Sequence, residues 1–110
     1  MLGIRYLEEP GKPAPLSYIQ GLKPADYGHL PNKIDYCKTY STADWPRKWV
    51  EIIEDRIWEL RQGDHRVLFF LTTEFIVVLH VFRKQSQNIK PIDIELARPR
   101  RDHFIAQGSK

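Results

Sequence analysis

At 110 residues and 13.0 kDa the chain is the size of one domain, and a second independent core would not fit, so residues 1–110 are read as a single folding unit. No apolar run approaches the roughly 20 residues of a spanning helix, Arg5, Glu8 and Glu9 break up any signal-peptide core, and the lone Cys37 excludes an internal disulfide or a thiolate metal site; a reducing cytoplasm is expected. The net charge of +3 is unevenly spread: Arg83 to Lys110 holds seven Lys/Arg against three Asp/Glu, whereas Asp44 to Leu60 holds three against five, so positive charge gathers toward the C-terminus, as a nucleic-acid contact or a solvated helix would have it.

In chain order, Ile4 to Leu7 reads as a short strand closed by Pro10-Gly11. Leu16, Ile19 and Leu22 sit at helical spacing after Pro13 and Pro15, and Pro24 suits the first turn of a second helix. Leu30, Ile34 and Cys37 give a weaker helical stripe around Pro31. Ser41 to Arg47 is polar and reads as a loop, and the apolar segment Trp49 to Ile53 fits neither period well. Ile57 to Arg61, His65 to Leu71 and Phe75 to Phe82 are three β-rich runs separated by Gln62-Gly63-Asp64 and Thr72-Thr73-Glu74, the pattern of an antiparallel meander. A last helix is expected after Pro91, stopped or kinked at Pro99.

The turns set the neighbours. A two-residue Gly63-Asp64 turn pairs Gln62 with His65 and puts Arg61 opposite Arg66. A three-residue loop at Thr72 to Glu74 pairs Leu71 with Phe75 and puts Arg66 opposite His80, which predicts one row of Arg61, Arg66 and His80. By alternation that face also carries Ile57, Glu59, Leu68, Phe70, Ile76, Val78, Phe82 and Lys84; the other carries Trp58, Leu60, Val67, Phe69, Val77 and Leu79 and is expected under the N-terminal helices. Facing arginines repel unless an anion sits between them, so a phosphate or a carboxylate is their complement. The other reading is that Glu59 neutralises one arginine and His80 is a satisfied core histidine.

The stretches Ile57-Trp58-Glu59-Leu60-Arg61, His65-Arg66-Val67-Leu68-Phe69-Phe70 and Val78-Leu79-His80-Val81-Phe82-Arg83-Lys84-Gln85-Ser86-Gln87 resemble the core of phage-derived HigB-type toxins of the RelE/ParE superfamily. Pro91, Ile94-Glu95 and Ala97-Arg98 resemble that family's last helix, and Lys12-Pro13 with Leu16 to Leu22 its opening. The chain departs from the pattern at Gln85, at Asn88-Ile89-Lys90 and at Pro99. The resemblance implies an α+β fold, a RelE-like small, mainly antiparallel sheet with N-terminal helices packed on one face and a C-terminal helix. It also implies a toxin of a type II toxin–antitoxin system, a ribosome-dependent mRNA endoribonuclease that inhibits translation and is neutralised by a helix-turn-helix antitoxin.

Metal-independent RNA cleavage lets the 2′-hydroxyl attack its own phosphate, so one proton is removed, one supplied and charge on the phosphoryl oxygens stabilised. Arg66, His80 and Lys84 are the expected catalytic residues: Arg66 with Arg61 on the phosphate, Lys84 adding charge or protonating the leaving oxygen, His80 as general base or acid. Phe70 or Phe82 would stack on a base, and Arg83, Lys90 and Arg98 would add RNA contacts. Arg100 and Arg101 would either touch ribosomal RNA or form a solvated end. His65 falls on the other face and is expected to be structural; Trp58 falls on the buried face, and Trp45 and Trp49 are expected in the core or against the antitoxin. No zinc-ligand spacing or Gly-rich phosphate loop is present, so no cofactor and no metal are expected. A gyrase-directed toxin on the same fold, or a non-catalytic nucleic-acid-binding module of phage origin, are the alternatives.

Overall fold

The structure, a computed structural model, describes residues 1–12, 14–84 and 91–107. Strand β1 (Gly3–Tyr6) leads to helices α1 (Pro15–Gln20), α2 (Pro24–Tyr27) and α3 (Leu30–Thr39); strands β2 (Val50–Glu54), β3 (Ile57–Gln62), β4 (His65–Leu71) and β5 (Phe75–Arg83) follow, then helix α4 (Pro91–Ala106). The strands form one sheet in the order β1-β5-β4-β3-β2, antiparallel throughout except that β1 runs parallel to β5. The expected α+β architecture holds.

Each of the first three helices has proline in its first turn, where a missing N–H costs nothing. Pro31 therefore starts α3 rather than interrupting it. The segment Trp49 to Ile53, which resisted assignment, supplies the edge strand β2. Pro99 neither stops nor ends α4, which runs on through it to Ala106.

The β3–β4 turn is as expected: Gly63 has φ +57°, the conformation a Gly-first two-residue turn requires, and Gln62 pairs with His65 and Arg61 with Arg66. The β4–β5 connection is not. The Thr72 hydroxyl accepts the N–H of Phe75 at 2.9 Å while the Thr72 N–H donates to the Phe75 carbonyl, so Thr72 faces Phe75 and Leu71 pairs with Ile76. A bulge then inserts Leu79 between the pairs Phe69↔Val78 and Leu68↔His80, leaving Arg66 opposite Phe82. The row of Arg61, Arg66 and His80 is thus broken: His80 lies opposite Leu68.

The shorter turn and the bulge together set the two faces. Ile76, Val78 and Val81 pack with Leu60, Val67 and Phe69 against Ile19, Leu30 and Cys37 of the N-terminal helices, while Val77, Leu79 and Phe82 join Ile57, Leu68 and Phe70 beneath Ala97 and Phe104 of α4. Ile76 and Val78, and with them Val77 and Leu79, therefore exchange the faces alternation assigned them. His80 and Phe82 keep theirs, because the shorter turn and the extra residue offset each other. The bulge's spare carbonyl, that of Leu79, accepts from the buried Arg100 guanidinium at 2.6 Å, so the irregularity is satisfied from α4.

Candidate functional site

The basic groups converge at one end of the sheet, the tip formed by the β3–β4 turn and the end of β5. Arg66 Nη1 donates to the carbonyls of Gly63 (2.6 Å) and His65 (3.0 Å), which folds its head along the turn backbone. No carboxylate faces it among the described residues, and its buried Nε has no partner there. Arg83, 62% exposed at its side chain, reaches the same turn from the next strand and lies 3.6 Å from the Asp64 carboxylate. The Lys84 N–H donates to the Asp64 carbonyl at 2.7 Å, so the ladder carries its cation to the tip as well. Lys33 of α3 donates to the Arg61 carbonyl at 2.7 Å; burial, then the charge of Arg66, hold its ammonium below the ordinary lysine value.

Successive residues of a strand face opposite ways, so His65 and Arg66, like Arg83 and Lys84, straddle the tip. His65 is buried on the helix side, across the ladder from Arg83. Its Nδ1 lies 2.8 Å from the Tyr18 hydroxyl of α1, and its Nε2 3.6 Å from Asp26 of α2.

Arg61, Phe70, Arg98 and His80, all expected at the site, are placed elsewhere. Arg61 is neutralised: Nε donates to Glu59 at 2.8 Å and Nη2 to Glu51, so it does not share an anion with Arg66. Phe70 is wholly buried against Phe104 and presents no face to a base. Arg98 holds Glu54 through two 2.6 Å bonds. His80 is 7% exposed, its Nε2 2.9 Å from Asp93 of α4 and its ring stacked on Phe82, itself 9% exposed. Burial pushes the His80 pKa down and the Asp93 carboxylate only partly offsets it, so the neutral ring predominates near pH 7. Lys90 lies outside the described residues.

His65 lies on the helix face, where the sequence placed it, but nothing in a linear reading brings Tyr18 and Asp26 to it. Sequence reasoning also missed the Arg100–Glu9 pair that ties α4 to the segment after β1. Arg101 donates to the Asp55 carbonyl at 2.6 Å and so braces the β2–β3 turn. Trp45 is core, edge-on to Trp58. The Cys37 thiol, pushed up to about 12 by burial, is inert.

A family model described as Phage derived protein Gp49-like (DUF891) matches residues 17–102. The chain belongs to that family. The Gp49-like match begins within α1 and ends within α4, so it includes both arginines of the tip and the Tyr18–His65–Asp26 cluster. No curated protein matches the chain. Among the described residues no helix is long and apolar enough to cross a membrane.

Proposed function

We propose that this Gp49-like protein is the toxin of a type II toxin–antitoxin pair and cuts mRNA on the ribosome, with the sheet tip as its phosphate clamp. The observation that carries this is Arg66: a guanidinium fixed by two backbone carbonyls, facing no carboxylate among the described residues, with Arg83 and Lys84 converging on the same turn. A phosphodiester is the anion such a cluster complements, because a planar guanidinium donates to two phosphoryl oxygens at once. Membership of a phage-derived family associated with RelE-like toxins supports the same reading. The partner is then a helix-turn-helix antitoxin that denies RNA access to the clamp.

Arg66 and Arg83 would hold the scissile phosphate and offset the charge that builds on its oxygens, and Lys84 would protonate the leaving 5′-oxygen. His80 stands three residues inside Arg83, roughly 10 Å along the strand, sealed beneath α4. It is assigned to holding α4 through Asp93 rather than to proton transfer.

Inducing the wild type and Arg66→Ala in a bacterium without the antitoxin, and mapping mRNA 5′ ends within minutes, tests the proposal. New ends on translated messages are expected with the wild type and at least 100-fold fewer with Arg66→Ala. Growth arrest with intact messages would point to a gyrase-type target instead, and no arrest to a binding module.

A further inference from the structure

The clamp described above lacks a group to take the 2′-hydroxyl proton. On the helix side of the same tip lies a chain of three titratable side chains from three elements. The Tyr18 hydroxyl of α1 and the His65 Nδ1 of β4 are 2.8 Å apart, and Asp26 of α2 stands 3.6 Å from Nε2. Asp26 favours the proton on Nε2, which leaves Nδ1 as acceptor and makes the phenol the donor. The ring of Tyr18 is edge-on to His65 at 5.7 Å, so its position is fixed by packing as well as by the bond.

The chain has an open outer end. His65 is buried and Asp26 is 51% exposed, whereas Tyr18 is half-buried and stands within reach of the Arg83 charge. Arg83 and Arg66 approach the same two-residue turn, Arg83 at the Asp64 carboxylate and Arg66 at the Gly63 carbonyl. An anion seated over that turn meets guanidinium from both faces and the phenol from one.

We infer that Tyr18 is a catalytic residue of the proposed ribonuclease, passing the 2′-hydroxyl proton to His65, with His65 and Asp26 as its positioning and accepting partners. The inference rests on the ribonuclease reading. As the 2′-oxygen bonds to phosphorus, its proton moves to Tyr18 Oη and the phenolic proton moves to His65 Nδ1; Asp26 stabilises the imidazolium. The P–O5′ bond breaks, and the leaving oxygen takes a proton from Lys84 Nζ, giving a 2′,3′-cyclic phosphate and a 5′-hydroxyl. Burial holds the Tyr18 pKa above its ordinary 10, which keeps the phenol protonated at rest, as a relay needs.

The test is single-turnover cleavage of a defined mRNA on stalled ribosomes, measured against protein concentration. The proteins compared are the wild type, Tyr18→Phe, which keeps the ring, and Asp26→Asn, at an exposed site. Tyr18→Phe is expected to lower the maximal rate by about 100-fold or more while the half-saturating concentration stays within about threefold. Asp26→Asn is expected to lose roughly tenfold in maximal rate. Its thermal midpoint, like that of Tyr18→Phe, should lie near the wild type's. A wild-type protein that cuts while both variants cut within threefold of it overturns the relay alone. A wild type that does not cut overturns the ribonuclease reading and the relay with it.

Discussion

At the residue scale, the two facing arginines of β3 and β4 show how one identity serves two ends. Arg61 lies between Glu51 and the buried Glu59, whose Oε2 has no partner among the described residues even with the arginine present. Removing Arg61 strands a buried carboxylate, and breaking such a pair by deleting one member costs about 3 kcal/mol or more when fully buried. Arg61 is one-quarter exposed, so about 2 kcal/mol is expected for Arg61→Ala in urea unfolding, with recovery when Glu59→Gln is added. Arg66→Ala, which strands no carboxylate, should leave the unfolding midpoint within about 1 kcal/mol of the wild type. Stability and the proposed cleavage thereby fall to different members of one cross-strand pair. The pairing itself was legible in Gly63-Asp64, since a Gly-first two-residue turn fixes its flanks; which arginine is free was not, because Glu51 arrives from a strand whose period was ambiguous.

At the element scale, α4 is held to the sheet by polar contacts as well as by Ala97 and Phe104. His80 meets Asp93, Arg98 meets Glu54, and Arg100 meets Glu9 and the bulge carbonyl. These contacts predict a two-stage acid response. The folded-state pKa of His80 is lowered, chiefly by burial, so the unfolded chain binds more protons there; its contribution is intact above about pH 6.5 and is lost as pH falls through the folded value. Glu9 and Glu54 are also lowered, each chiefly by its arginine's hydrogen bond, and their contribution is lost only as pH falls below about 4.5. Thermal midpoints measured from pH 8 to 3 should fall first as pH drops below about 6.5 and again below about 4.5. His80→Gln should remove the first step and leave the second, whereas a first step surviving in His80→Gln would contradict the assignment. The bulge that places His80 could not be read from periodicity, because the run Ile76 to Leu79 is apolar at every position and so carries no alternation to show where an extra residue enters.

At the scale of the whole molecule, two apolar layers enclose the sheet, and cations from separate elements meet at its tip. The C-terminal excess of cations had suggested α4 as an RNA surface. Arg98, Arg100 and Arg101 are instead occupied by Glu54, Glu9, Asp102 and backbone carbonyls, and the cations that converge come from β4, β5 and α3. The three β-rich runs and the sheet's helical cover were legible because periodicity and turn chemistry are local. The site was only half legible, since Tyr18, Asp26 and Lys33 reach the tip through the packing of α1 to α3, which no local pattern encodes. The measurement that bears most directly on the tip is an amide NMR titration of the protein with a short single-stranded RNA carrying 2′-methoxy groups, which binds but cannot be cut. Shifts clustered at residues 63–66 and 83–84, with that cluster absent in Arg66→Ala, are the expected result; shifts centred on α4 or the β2 edge, with the tip silent, would contradict the account.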